Sequence, residues 1–323
     1  MKKTLALVTL SALCSSTAFA QVNVANIVDL ELLTHSEVSQ KLKDGWTSII
    51  VAAGGTEERG PQDVLGGHTM MAHSHADMIA KKLGKTLVAP VLPVAVNATG
   101  LNASREMADQ PGAIQMPADV FKQVQVAQID SLARSGFKDI YLMGDHGGGQ
   151  AEIKEAAEEM DKKWSSKGTR VYYVSDFYNK THDDVDMYLY AHKLPIGGHG
   201  AMLETSIMLY LEPAPGAWVR PLYKTMPFDP TGQTPEQWKT ARDARMARQA
   251  AAAAGNPAPP AAGGGGRGRG QDPNAAPRVN NGVTGDPRPS TKEIGKDLID
   301  IIVNNGVNEI TKMTAERRST ASK

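Results

Sequence analysis

The sequence predicts an α/β fold in three layers, a mostly parallel central sheet between two sets of helices. Three observations carry that expectation. Short apolar, β-branched runs at 47–53 (TSIIVAA) and 138–143 (KDIYLM) each stop at a glycine-rich loop, as strands buried on both faces do. Segments of helical length and period separate the runs, and such alternation implies a parallel sheet with helices on its faces. Both runs also lead directly into residues able to do chemistry, and in open parallel sheets the ligand site lies beyond the carboxyl ends of the strands.

Taken in order, residues 25–45 read as a helix docked ahead of the first strand, with Leu30, Leu32, Leu33, Val38 and Leu42 on a helical repeat. The first strand ends at Gly54-Gly55, and residues 69–83 read as a helix closed by Gly84. Residues 86–96 are apolar but contain Pro90 and Pro93, which withhold ladder donors, so a strand with irregular edges is expected. Residues 117–136 should be helical, with proline at the start, Asp119 in the first turn and Gly136 as C-cap. The 138–143 strand meets Gly144-Asp145-His146-Gly147-Gly148-Gly149, then a helix at 151–165 and a strand at 169–176 (TRVYYVSD). A further apolar helix is expected at 207–211.

From residue 247 the composition changes. Residues 247–289 are dominated by Ala, Pro and Gly, including GGGGRGRG at 263–270. No core can be made from this stretch, which reads as a disordered insertion. Residues 291–302 (TKEIGKDLIDII) are amphipathic, with Ile294, Leu298, Ile301 and Ile302 on one face. One α/β domain at 21–246 is thus followed by the insertion, and 290–323 returns as its last helix and tail.

The first twenty residues stand apart. Lys2 and Lys3, an apolar run at 5–13 and Ala18-Phe19-Ala20 before Gln21 form an export signal, so a periplasmic or secreted location is expected. The run is too short to span a bilayer, leaving no membrane anchor after cleavage. Cys14, the only cysteine, leaves with the signal. Thiolate zinc sites, disulfide scaffolds and cysteine nucleophiles are thereby excluded from the mature chain. Lys plus Arg and Asp plus Glu number 35 each, for a formal net charge of zero. Bulk electrostatics favour neither nucleic acid nor a membrane surface.

Three loops carry the candidate chemistry. In the 55–68 loop, glycines and Pro61 hold a compact turn that lets Glu57 and His68 face one space. A carboxylate and an imidazole suit Zn²⁺, Mn²⁺ or Fe²⁺; the same segment reads equally well as a surface loop capping the next helix. In the 144–150 loop, His146 follows a buried strand among small residues that allow backbone to approach a ligand. A packed histidine is the plain alternative, and phosphate binding through the loop amides is another. In the third, His199 and Glu204 flank a turn into the 207–211 helix, where Glu204 could simply favour a helix N-terminus. His73 and His75, on the helix after the first loop, carry little weight, and His182 and His192, in a polar stretch, read as solvated surface.

In order and approximate spacing these segments resemble the creatininase (creatinine amidohydrolase) family. Its Glu-x-His-Gly-Pro-His-x-Pro-x-Gly-x-Asp loop is matched at Glu57, Gly60, Pro61 and Gly66. Its Asn-Gly-His-Gly-Gly-Asn loop is represented by Asp145-His146-Gly147-Gly148, and its His-Ala-Gly-x-x-Glu-Thr-Ser segment by His199 with Glu204-Thr205-Ser206. Pro111-Gly112-Ala113-Ile114 is similar to the family's Phe-Pro-Gly-Thr-Ile, and Gly285-Asp286-Pro287 fits its C-terminal end. The resemblance covers residues 28–235 and 285–312. It implies a creatininase-like three-layer fold and metal-dependent hydrolysis of an amide or cyclic-amide C–N bond in a small molecule. It also makes a homo-oligomer the expected state.

The departures narrow what transfers. Arg59 stands where the family has its loop histidine, His68 where it has the bridging aspartate, and Gly148 where it has a carboxylate. A guanidinium stays protonated and is no ordinary ligand. One metal site therefore carries over, Glu57, His68 and His146, holding one divalent ion, zinc first, with manganese or iron as alternatives. The resemblance further implies His199 as catalytic acid, with Glu204 orienting it or completing the metal shell. Arg59 is expected to stabilise the oxyanion, and Asp145, Gly147 and Gly148 to contact substrate. The alternative reading is a catalytically altered or inactive periplasmic protein that binds a small molecule on the same fold.

Overall fold

Ile49, Ile50 and Val51 have no room for water on either side, and they form the centre of strand β1 (Ser48–Ala53) in a four-stranded sheet. The fold is taken from a computed structural model that describes residues 23–96, 111–227, 234–253 and 282–321. The expected signal at 1–20 lies outside the described residues. β1 pairs in parallel with β2 (Thr86–Val88) on one side and with β3 (Asp139–Gly144) on the other. β4 (Arg170–Tyr173) pairs in parallel with β3, giving the order β2-β1-β3-β4.

Alternation along the strands divides the core. Ile50, Ala52, Tyr141 and Met143 face one layer, built from α2 (Gly67–Leu83), α5 (Asn179–Ala191), α6 (Met202–Leu211) and α8 (Lys292–Ala321). Ile49, Val51, Ile140 and Leu142 face the other, built from α3 (Ala118–Ser135) and α4 (Gln150–Trp164). Period-two burial with apolar residues on both faces is what the uninterrupted hydrophobic runs require. The chain winds outward from β1 to β2, then crosses back to β3 on the far side of β1. The carboxyl ends of β1 and β3 therefore flank the point where strand order reverses, the crevice of a doubly wound sheet.

Several elements differ from expectation for visible reasons. The 25–45 helix is only α1 (His35–Lys43), preceded by two short 3₁₀ turns. Thr34 starts it with a capping box: its hydroxyl accepts from the Glu37 N–H, and the Glu37 carboxylate accepts from the Thr34 N–H at 2.7 Å. β2 ends at Val88 and does not reach residue 96, and beyond it only single bridges such as Ala53 with Leu92 remain. Residues 247–253, expected to be disordered, are the last two turns of α7 (Pro235–Ala253). Its Trp238 is buried and donates to Asp186 at 3.0 Å. Residues 254–281 lie outside the described residues. At the far end of that stretch Val283 is buried and the Thr284 N–H donates to the His199 carbonyl at 2.8 Å, so ordered packing resumes before residue 290. No described helix is long and apolar enough to cross a membrane.

Candidate metal centre

The loop after β1 carries Glu57 and Arg59, α2 carries His68, and the loop after β3 carries Asp145 and His146. Glu57 is central. Its Oε2 lies 2.9 Å from His146 Nε2 and its Oε1 lies 3.0 Å from His68 Nε2, with His199 Nδ1 at 3.5 Å. Burial works against its charge, but hydrogen bonds from His146 and His68, and the charges of His68 and His199, hold the carboxyl far below the usual range. Among the described residues one donor set could hold a metal: Glu57, His68 and His146 each offer an atom, all within 4.8 Å of one another.

The surroundings fit that use. His68 Nδ1 lies 2.8 Å from Asp145 Oδ2, which places a proton on Nδ1 and aims Nε2 at Glu57. Carboxylate partners of this kind fix the tautomer of ligating histidines. His146 Nδ1 lies 3.0 Å from the Gly148 N–H and 3.2 Å from its carbonyl. The Gly148 N–H donates to Nδ1, which fixes the ring and directs Nε2 at Glu57. Burial and the nearby Arg59 oppose a charge on His68, yet its bonds to Asp145 and Glu57 prevail and push it up to about 9. The pocket thus favours a positive charge between Glu57 and His68. Asp145, buried between two imidazoles, is held far below the ordinary carboxyl range against its own desolvation by His68 and His75.

Arg59 does not stand where an oxyanion could reach it. Its side chain is fully buried, absent from the cavity wall, and lies behind the two carboxylates. NH2 is 2.5 Å from Glu204 and NH1 is 3.6 Å from Glu57, both off the axis of a directed hydrogen bond, so the pairing is chiefly ionic. Burial opposes its charge, but Glu204, Glu57, Asp63 and Asp145 together raise its pKa further. The expected oxyanion role is therefore replaced by a clamp on two acids. Gly67 makes room for it: a Cβ there would sit 2.6 Å from Arg59 Nε. Behind the guanidinium, desolvation raises Asp63 to about 7, although Arg59 and the Thr205 hydroxyl (2.9 Å) favour its charge.

Glu204 occupies the first turn of α6, accepts from the Gly200 N–H at 2.6 Å and pairs with Arg59. Both readings of this residue, helix terminus and site member, describe it. His199 donates through Nε2 to the Glu58 carbonyl at 2.5 Å, so Nδ1 is the atom turned to Glu57. A cavity of about 400 Å³ opens onto Glu57, His68, His146, His199 and Glu204. Of the three residues expected to contact substrate, Asp145 and Gly147 line it. Both Asp145 oxygens, however, are directed to His68 and to His75, the latter at 3.3 Å. Gly148 is turned away: a Cβ on it would lie 1.5 Å from the Val96 carbonyl oxygen. Its part is to hold His146.

Two of the histidines given little weight in the sequence belong here. His75 is buried and His182 lines the cavity edge-on to Tyr178. His75 was detectable, since it is seven positions after His68 and two helical turns bring it to the same face. His73 and His192 are exposed, bonded to Asp29 and to the Tyr188 carbonyl.

A carboxylate and two imidazoles gathered at the reversal point of a parallel sheet, with His199 Nδ1 beside them, form a donor set of the kind that holds a metal in α/β enzymes. The family model for creatininase, creatinine amidohydrolase, matches residues 31–310. Solved structures share the fold. A creatininase point mutant has 18% identity and a TM-score of 0.60, covering 89% of this chain and 98% of its own. A mutant creatininase of Zn-Zn type has 17% identity and 0.58, and a manganese creatininase 18% and 0.57, each with the same coverage. No curated protein matches the sequence. The chain belongs to the creatininase family, and with it to the hydrolases of non-peptide C–N bonds.

Proposed function

We propose that the chain hydrolyses an amide or cyclic-amide bond of a small molecule using one divalent ion, zinc before manganese or iron, held by Glu57, His68 and His146. The observation that carries this reading is the donor set itself, with each imidazole fixed through its second nitrogen. Two relatives described as Zn-Zn and Mn forms support zinc or manganese as candidates. When bound, such an ion polarises a carbonyl and acidifies water. His199 would take a proton from the attacking water at Nδ1 and pass it to the leaving nitrogen, because its Nε2–H is engaged by the Glu58 carbonyl. Glu204 holds the Gly200 turn that carries His199, and Asp145 keeps His68 in its ligating tautomer. Arg59 supplies a fixed positive charge where the family's second ion would need a histidine, so a single ion suffices.

One observation favours the alternative of a binding protein without turnover: a residue of the family's ligand set is here a buried arginine paired with Glu204. Metal analysis of the mature protein, then screening of small linear and cyclic amides with and without chelator, separates the two. The enzyme reading expects about one ion per chain and chelator-sensitive hydrolysis, both lost in Glu57→Ala and His146→Ala. Activity that survives in those variants, or protein with no stoichiometric metal, overturns it. Export and a homo-oligomeric state belong to the same reading; the mature N-terminus by mass spectrometry and the solution mass by light scattering test them.

A further inference from the structure

The cavity does not stop at the donor set. Met71 and His75 lie on α2 at three and seven residues beyond His68, so at 1.5 Å per residue the wall reaches about 10 Å inward along that helix. There it is closed by Phe177, Val185 from α5, Leu203 and Ile207 from α6, and Ile302 from α8. The ionisable groups Glu57, His68, Asp145, His146, His199 and Glu204 cluster toward the loop end, while the inner wall combines hydrocarbon with the polar groups of Tyr178, Thr181 and His182.

Of the polar groups on this wall His75 is the least exposed. His75 is 1% exposed, and among the described residues its Nε2 has no hydrogen-bond partner. Asp145 Oδ1, an acceptor, lies 3.3 Å from Nδ1, which places the ring proton there and leaves Nε2 as a buried acceptor. Buried acceptors left without a donor are costly and uncommon. Phe177 stands edge-on to the ring at 6.0 Å and offers no bond.

We infer that His75 sets specificity, and that the substrate is an amide or lactam that carries one hydroxyl or N–H group donating to His75 Nε2. This rests on the hydrolase reading, since it takes the donor set as the reacting end of the cavity. Position and chemistry agree: the amide sits at Glu57 and His146, and the donor reaches the second turn below His68.

The test uses the metal-loaded mature chain and two probes, benzamide and 4-hydroxybenzamide, by titration calorimetry. Wild type should bind the hydroxylated amide about tenfold more tightly, the worth of one good hydrogen bond. His75→Leu should erase that preference while still binding benzamide, and His75→Gln, which keeps an acceptor, should restore part of it. Equal affinities in wild type overturn the inference without any variant, as does a preference that survives His75→Leu. If neither probe binds although metal is present and other small amides are hydrolysed, the inference fails and the hydrolase reading stands. If the preference is found in protein that holds no metal and turns nothing over, the chamber is as described and the hydrolase reading fails.

Discussion

Replacing Arg59 by methionine keeps an unbranched stem out to about the position of Nε and removes the charged end. The guanidinium is fully buried and faces two carboxylates, with Glu204 at 2.5 Å and Glu57 at 3.6 Å. Removing one partner of a buried ion pair costs roughly 3–5 kcal/mol, because the remaining charge stays desolvated. For a chain of this size the melting temperature should fall by about 10 °C. The sign of the pH effect follows from the same contact. Without the cation, Glu57 and Glu204 are like charges in a poorly solvated space, so the folded variant takes up a proton that the unfolded chain releases. Its deficit should be largest at pH 8 and shrink toward pH 5. Added zinc should also narrow the gap, since it returns positive charge beside Glu57. The assay is thermal and urea unfolding of metal-free protein at both pH values, repeated with the ion. A variant as stable as wild type at pH 8, or one whose deficit grows on acidification, refutes the view of Arg59 as a clamp on two acids.

Two further substitutions probe the same layer. Gly67→Ala places a methyl 2.6 Å from Arg59 Nε and 2.9 Å from its Cδ, and overpacking of this kind costs roughly 1–3 kcal/mol. Combined with Arg59→Ala, which removes both atoms, the alanine at 67 should add almost nothing, which a double-mutant cycle on unfolding free energies measures. Asp63→Asn addresses the acid that burial pushes up to about 7. The folded chain keeps this proton while the unfolded chain loses it near pH 4, so the aspartate's stabilising contribution is lost as pH rises through 7. The amide should therefore raise the unfolding free energy at pH 8, by an amount on the order of 1–2 kcal/mol, with the gain fading toward pH 4. A gain independent of pH would assign the effect to packing instead.

The parts of this fold legible in the sequence are those decided locally. β1 and β3 are apolar runs cut off by glycine, and the loops that follow them necessarily share one edge of a parallel sheet. Glu57, His68 and His146 could be gathered from that rule together with the family resemblance, and they do meet. What escaped depends on distant partners. The direction of Arg59 is settled by Glu204, 145 positions later, and by the absence of a side chain at Gly67. Residues 247–253 are mostly alanine, a composition that marks low complexity and is also the best helix former. Trp238 and its bond to Asp186 tilt the balance toward helix. His75 escaped because its burial comes from Phe177 and Asp145 on other elements.

The seat that Gly67 provides for Arg59 also imposes an order on change. While the arginine is present, any side chain at position 67 collides with it. Were the arginine lost first, position 67 would become permissive, and a residue settling there would bar the guanidinium from returning. Drift through this pair therefore runs more easily one way than the other: the clamp is easily lost, and once position 67 has been filled, no single substitution rebuilds it.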